Sequence, residues 1–500
     1  MELVQYGGKI MKLAKRAISL SLLVAMLATV SCGDTQSGGE TTNDQTTASD
    51  GTVSESVDTA ESVDIPDDKY EGYEFRMLGR ETPSTASVNE LFTESETGDT
   101  LNDAIYRRNR MIEERFGVTV KFIPVTDSQV MPTLSQSVLA GDDVCDVALD
   151  VMTRISSAIT NNYIYSTDDL QYLDVQKSWW NTGLIEDSAI NGKSYFLMGD
   201  PIYSWRDGTW VLCFNKRLYN EYNLEEPYAM VREGRWTLDV LEEHCRDITK
   251  DLNGDAVFDK DDQWGMLSSK TAGIGLVTST GITTVRAAKD GSLEYILDNE
   301  RNVNVLGRIR KLMTNNDIQL RAEDITGASD IWSEVINIFR EGRALYRISI
   351  MSDVVGLRDM NDDFGILPLP KYDENQEQYY TTYQAWNSRA LVVPVTVKDT
   401  GRTSAILEYM ASVSGDTVKD AYYNVTLQGK VARDDDSAEM LDIIFDSMTT
   451  DIGLAFEIAG LRQNIASIIN SDSDNTASTL ASMKQSTIAA LEEFEEGAKG

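Results

Sequence analysis

The sequence has very little histidine and little cysteine. Its 500 residues include one histidine, His244, and four cysteines. A single histidine leaves no second one for a metal centre, and no phosphate-binding, dinucleotide-binding or Gly-x-Ser-x-Gly motif is found. Two carboxylates can act together in hydrolysis, but 81 acidic residues make chance pairs unavoidable. We therefore predict no catalytic residues and no enzyme activity.

Positive charge is also scarce. Lysine and arginine number 45 against 81 acidic residues, which gives a formal net charge of −36. This excess repels the phosphates of nucleic acid, so no nucleic-acid partner is expected. It suits a solvated protein outside the cell. A chain of 500 residues is too long for one hydrophobic core, so at least two domains are predicted.

The N-terminus has the pattern of an export signal. Basic residues at positions 12, 15 and 16 precede an apolar stretch, residues 17–30, that is too short to span a bilayer. Residues 29–32 resemble a lipobox ending in Cys32. We predict a lipoprotein signal peptide over residues 1–31 and a lipid on Cys32, which anchors the protein to a membrane. The alternative is cleavage by ordinary signal peptidase, with Cys32 incidental.

The segment after the signal is poor in apolar residues. Residues 32–68 are rich in Ser, Thr, Gly and acidic residues, which predicts a disordered tether. Beyond it, Cys145, Cys213 and Cys245 are an odd number of cysteines in apolar or helical contexts. We predict that these three are buried free thiols.

The first part of the folded chain alternates strand and helix patterns. Apolar alternation near residues 73–78, 118–122 and 144–151, with helical periodicity between, predicts a parallel α/β sheet. Ligands bind beyond the carboxyl ends of such strands. The charged residues at those ends are therefore candidate ligand contacts: Arg80, Glu81, Asp150 and Arg154. The alternative is that they are loop charges in water.

An acidic loop over residues 251–262 has oxygen atoms at the spacing that calcium requires. It departs from the usual loop by Ala256 at position 6 and an aspartate at position 12. The predicted ligands of a structural Ca²⁺ are Asp251, Asn253, Asp255, the Val257 carbonyl, Asp259 and Asp262. An Asp-rich turn without metal is the alternative.

Several segments occur in the order typical of one protein family. The apolar run at residues 210–214 leads into Asn-Lys, residues 234–243 begin Gly-Arg-Trp-Thr, and residues 363–372 form a strand ending at two prolines. Together they resemble the bacterial extracellular solute-binding proteins of family 1, the maltose-binding-protein-like type. The resemblance implies an α/β, two-lobed periplasmic-binding-protein (Venus-flytrap) fold with discontinuous lobes joined by crossover hinge strands. Lobe 1 would hold residues 69–209 plus 383–440, and lobe 2 residues 210–382 plus 441–500.

The resemblance also implies a function. It predicts the solute receptor of an ABC importer, a monomer at the extracellular face of the membrane (periplasmic if the source has an outer membrane), with separate permease subunits as partners. Four tryptophans in loops or crossovers favour an oligosaccharide, or another polar solute, as ligand: Trp205, Trp210, Trp332 and Trp386. Of these we select Trp205 and Trp386, and by resemblance add Ser349 and Tyr383. A secreted carbohydrate-active enzyme and a surface glycan-binding lipoprotein without transport are the alternatives.

Overall fold

Two mixed β-sheets organise the part of the chain that the computed structural model describes, residues 61–82 and 88–499. The predicted signal peptide, Cys32 and the tether as far as residue 60 lie outside the described residues. Residues 61–68 have no helix or strand, yet they contact the folded chain. The Glu61 carboxylate accepts a hydrogen bond from the Ser178 backbone N–H, and Arg115 donates to the Pro66 carbonyl.

The first sheet contains four strands in the order β11-β3-β1-β2. Strands β1, β2 and β3 are parallel, as the alternating pattern predicts, and β11 pairs with β3 in the antiparallel sense. The strand bounds are β1 (Glu74–Arg80), β2 (Thr119–Val125), β3 (Val147–Val151) and β11 (Arg389–Val392). β11 comes from a distant part of the chain, so this lobe is discontinuous in sequence.

The second sheet has five strands in the order β10-β4-β9-β5-β8. β5 is parallel to β8 and β9, whereas β4 is antiparallel to β9 and β10. The bounds are β4 (Trp210–Asn215), β5 (Trp264–Ser268), β8 (Gln319–Arg321), β9 (Ala344–Ile350) and β10 (Phe364–Leu367). A separate hairpin joins β6 (Val285–Ala287) to β7 (Leu293–Tyr295). The carboxyl ends of β5, β8 and β9 and the start of β4 therefore share one edge.

Helices cover both sheets. Before β5 they are α1 (Thr100–Phe116), α2 (Val130–Ala140), α3 (Met152–Thr160), α4 (Thr182–Glu186), α5 (Ser204–Asp207), α6 (Lys216–Glu221), α7 (Pro227–Arg232) and α8 (Leu238–Cys245). After it come α9 (Ala272–Ser279), α10 (Glu300–Met313), α11 (Ile331–Arg340), α12 (Met351–Val355), α13 (Thr400–Ser414), α14 (Asp435–Asp446), α15 (Ile452–Ala455), α16 (Leu461–Ile469) and α17 (Thr476–Gly497). A π-helical segment, Gly415–Val431, continues α13.

Helix α1 shows how local sequence sets an element. Its N-cap Asp99 accepts hydrogen bonds from the first-turn N–H groups, and Gly117 ends it in the left-handed region at φ 68°. The predicted apolar face is buried, with Ile105, Ile112 and Phe116 each fully inaccessible to solvent. α1 packs against β2, α13 and the segment Gly415–Val431.

Two of the segments that join the sheets pair with each other. Before β4, Thr209 forms an antiparallel bridge with Tyr383, which precedes β11. The Trp210 N–H donates to the Thr382 carbonyl at 3.0 Å, and the Gln384 N–H donates to the Gly208 carbonyl at 2.8 Å. Gly208 approaches the Ser388 hydroxyl so closely that a Cβ there would overlap it. The two crossings therefore form one short ribbon between the lobes.

The core holds the three cysteines as free, buried thiols, as predicted: Cys145, Cys213 and Cys245. His244 is also buried, and its Nδ1 lies 3.0 Å from the Tyr219 hydroxyl and 2.8 Å from the Tyr346 hydroxyl. Among the described residues, no helix is both long enough and apolar enough to cross a membrane.

Candidate functional site

A cavity of about 340 Å³ lies where the second sheet meets the crossing ribbon. It is lined from the shared strand edge by Trp210, Ser268, Arg347 and Ser349, and from the other side by Gln384, Trp386 and Asn387. Trp332 of α11 and Glu323 also line the cavity. Three indoles with polar groups between them suit a flat polar ligand, since aromatic faces stack on apolar ring faces.

Trp386 is held by a cation above its ring. The Arg462 guanidinium carbon lies 4.4 Å from the centroid of the Trp386 ring, and the Glu457 carboxylate accepts from Arg462 Nε at 2.6 Å. Glu457 has left-handed backbone at φ 52°, an uncommon conformation for a side chain of this type. The contact fixes the indole where it borders the cavity.

Ser349 and Arg347 form the floor of the cavity on β9. The Arg347 guanidinium pairs with Asp353 at 2.6 Å and also donates to the Ser349 hydroxyl. Arg347 Nε and Trp210 Nε1 are buried and have no partner among the described residues. Buried N–H groups without partners carry a free-energy cost.

Three of the predicted contacts meet at the carboxyl edge of the first sheet, around a residue that was not predicted. Arg154 lies 2.7 Å from the Asp150 carboxylate and 2.6 Å from that of Asp127. The Asp127 carboxylate also forms ion pairs with the guanidinium groups of Arg389 at 3.1 Å and Arg80 at 3.5 Å. We call these five residues the arginine cluster.

The carboxylates of the arginine cluster differ in pKa because their surroundings differ. Burial raises the pKa of Asp150 to about 6, although the charge of Arg154 opposes the shift. Burial also acts to raise the pKa of Asp127, but hydrogen bonds and charges from Arg154 and Arg389 outweigh it and lower that pKa. Asp127 is therefore a firmly ionised centre for the three guanidinium groups.

Two predicted contacts lie away from the cavity. Trp205 is only 2% exposed, its indole N–H donates to the Gly199 carbonyl, and Arg206 covers its ring at 4.0 Å. It lines a second cavity of about 350 Å³. Tyr383 is buried, with its hydroxyl 3.2 Å from that of Thr450. The structure thus brings Ser349 and Trp386 together at one cavity and separates Trp205 from them.

Glu81 is exposed at the edge of the first sheet, next to Arg80. Its backbone N–H donates to the Val125 carbonyl at 2.7 Å, which extends the pairing of β1 with β2 by one residue. The side chain forms no hydrogen bond or ion pair with another described residue, so it stays in solvent.

The acidic loop uses its side chains to bind its own backbone. Asp251 accepts from the Gly254 and Ala256 N–H groups, and Asp262 accepts from Leu252 and Asp259. Ala256 has φ 61°, the left-handed conformation for which this position of a calcium loop usually has glycine. Among the described residues no three acidic, cysteine or histidine side chains converge as a metal site. The calcium site stays a prediction.

Sequence reasoning missed several residues of the site. Asp127 follows β2 as Glu81 follows β1, so the same argument about strand ends would have found it. Arg389 begins the antiparallel β11, and Arg462 comes from the far end of the chain. Only tertiary structure brings these two to the site.

Two α/β lobes, a paired crossing ribbon and a cavity beside it define the two-lobed class of solute-binding proteins. The chain belongs to the bacterial extracellular solute-binding proteins, whose family profile matches residues 93–434. This confirms the predicted family and fold class. Members of this family are binding proteins of the extracellular or periplasmic space.

Solved structures agree on the fold. An ABC substrate-binding protein from Listeria monocytogenes in complex with cycloalternan is 12% identical, with a TM-score of 0.55 over 84% of this chain and 100% of that chain. The GacH receptor of Streptomyces glaucescens, solved unliganded and with acarbose, is 13% identical, with a TM-score of 0.55 over 84% and 99%. UgpB from Mycobacterium tuberculosis, in complex with glycerophosphocholine, is 14% identical, with a TM-score of 0.53 over 85% and 99%. No curated protein sequence is significantly similar to this chain.

Proposed function

We propose that this protein is the solute receptor of an ABC importer and binds an oligosaccharide in the cavity beside the crossing ribbon. The single observation that carries the proposal is the set of three indoles, Trp210, Trp332 and Trp386, around one cavity that also holds buried polar groups. Sugar rings present apolar faces to indoles and hydroxyls to such groups. Structural neighbours bound to cycloalternan and acarbose support a saccharide ligand.

Binding would close the lobes about the crossing ribbon. Because the cavity is lined from both sides of the ribbon, a ligand there has more contacts in the closed form and shifts the population toward it. The closed form would then be presented to permease subunits on separate chains. A lipid on Cys32 would hold the receptor at the membrane surface beside that permease.

The test is a calorimetric titration of the purified chain with maltotetraose, cycloalternan and oligosaccharides of other linkages. We expect one-to-one binding and a smaller radius of gyration in X-ray scattering. Trp332→Ala should weaken binding, whereas Phe258→Ala should not. These two aromatics are matched controls, since they are 51% and 53% exposed and only Trp332 borders the cavity.

An enzyme would consume its ligand. After overnight incubation, mass spectrometry should recover the bound oligosaccharide intact. Shortened product that follows the protein through purification, and that disappears on Asp150→Asn, would replace the receptor by a carbohydrate-active enzyme. Binding without a change in radius would favour a glycan-binding surface protein without transport.

A further inference from the structure

The arginine cluster contains more positively charged side chains than carboxylates. Arg80, Arg154 and Arg389 surround two carboxylates, Asp127 and Asp150. Arg80 is the least satisfied, because its one ion pair with a described residue is 3.5 Å long and its side chain is 20% exposed. A chain with a net charge of −36 repels anions in general, so this positive edge is a local exception.

Neighbouring acidic groups do not remove the surplus. Glu90 is buried nearby, but its carboxylate accepts the Tyr203 and Ser204 N–H groups, and the buried Arg108 lies beside it. Glu81 is exposed to solvent, where its charge is screened. Burial and the like charge of Arg389 both lower the pKa of Arg80. An anion at this edge would offset that repulsion.

The cluster is next to the cavity. Arg389 Nη1 donates to the Asn387 carbonyl at 3.4 Å, and Asn387 lines the cavity. The loop that carries Asn387 also packs on α3, since the Met152 N–H donates to the Ser388 carbonyl at 3.1 Å. Asn387 therefore contacts both the cavity and the cluster.

We propose that the bound solute is an acidic saccharide whose carboxylate, sulfate or phosphate group is bound by Arg80 and Arg389. The inference rests on the proposed function and narrows its substrate class. Guanidinium groups bind such anions through paired, charge-assisted hydrogen bonds. The indoles would hold the sugar ring while the cluster selects for charge.

The experiment compares wild type with Arg80→Gln, which removes one charge and retains polarity. Arg107→Gln is the matched control, since Arg107 is an exposed arginine on α1. Arg80→Lys retains the charge and serves as the second variant if Arg80→Gln does not fold. Calorimetry compares maltotetraose with three acidic probes: tetragalacturonate, a sulfated tetrasaccharide and a phosphorylated tetrasaccharide. A second measurement tests the cluster without any sugar. It compares the melting temperature in inorganic sulfate with that in chloride at equal ionic strength, and a rise in sulfate indicates anion binding.

We expect wild type and Arg107→Gln to bind one acidic probe at least tenfold more tightly than maltotetraose, and Arg80→Gln to lose that difference. If maltotetraose binds as tightly as every acidic probe, the inference is wrong and the receptor proposal stands. If no saccharide binds but sulfate stabilises wild type more than Arg80→Gln, the anion site stands and the saccharide class falls. If sulfate acts equally on both and no probe binds, both proposals fall.

Discussion

Glu408 on α13 is a buried carboxyl whose replacement should change how stability depends on pH. It is 1% exposed and accepts hydrogen bonds from the indole N–H groups of Trp179 at 3.1 Å and Trp180 at 2.9 Å. Burial raises its pKa from 4.5 to about 7, although these hydrogen bonds lower it. The folded state therefore binds the Glu408 proton more tightly than the unfolded state does.

The sign and size follow from proton linkage. As pH rises from about 4.5, the unfolded chain loses this proton first, so the free energy of unfolding falls until the pH passes about 7. For one site with these two pKa values, the loss between pH 5 and pH 8 is about 2–3 kcal/mol. Glu408→Gln has no proton to lose, so its stability should not show this component.

The assay is urea unfolding of wild type and Glu408→Gln at steps from pH 5 to pH 8, followed by tryptophan fluorescence. The difference between their free energies of unfolding should shift by about 2–3 kcal/mol toward the variant over this range. Placing an amide against two indole donors has a free-energy cost that is the same at every pH. It therefore does not contribute to the shift between pH 5 and pH 8. Glu114→Gln removes an exposed carboxylate and should parallel wild type. Parallel profiles for wild type and Glu408→Gln would refute the reasoning.

Three further predictions concern the ligand, the loop and the anchor. Trp386→Ala should weaken oligosaccharide binding by about 1–3 kcal/mol in calorimetry, and unchanged affinity would remove this indole from the site. A chelator should lower the melting temperature of wild type but not of Asp251→Ala, because only an intact loop binds calcium; equal curves with and without chelator would leave a metal-free turn. Cys32→Ala should release the protein from washed membranes into the soluble fraction, and a variant that stays bound would contradict lipidation.

Much of the first lobe could be predicted from sequence because its signals are local. Alternation and helical periodicity indicate β1, α1 and β2, and the rule about strand ends selects Arg80, Asp150 and Arg154, which the structure brings together around Asp127. Here β1 and β2, which are consecutive strands in the chain, are also neighbours in the sheet, so pattern is enough.

The rest of the site depends on contacts between distant segments. A tryptophan in a loop-like stretch has the same sequence signal whether it is covered or open, and Trp205 is covered by Arg206 while Trp332 is open. Arg389 contacts Asp127 from 262 residues further along the chain, and Arg462 contacts Trp386 from the first turn of α16. No periodic pattern or motif in the sequence predicts either contact.

The order of strands in the first sheet also sets when that lobe can be completed. β3 lies inside the sheet only because β11 pairs with its outer side, and β11 is made after the whole five-stranded sheet. Until then β3 is an open edge, the kind of surface on which chains aggregate. The second sheet has all its strands on one continuous stretch of chain, so it can form first and the earlier lobe last. During synthesis and export, the N-terminal half is therefore the one that needs protection from premature pairing.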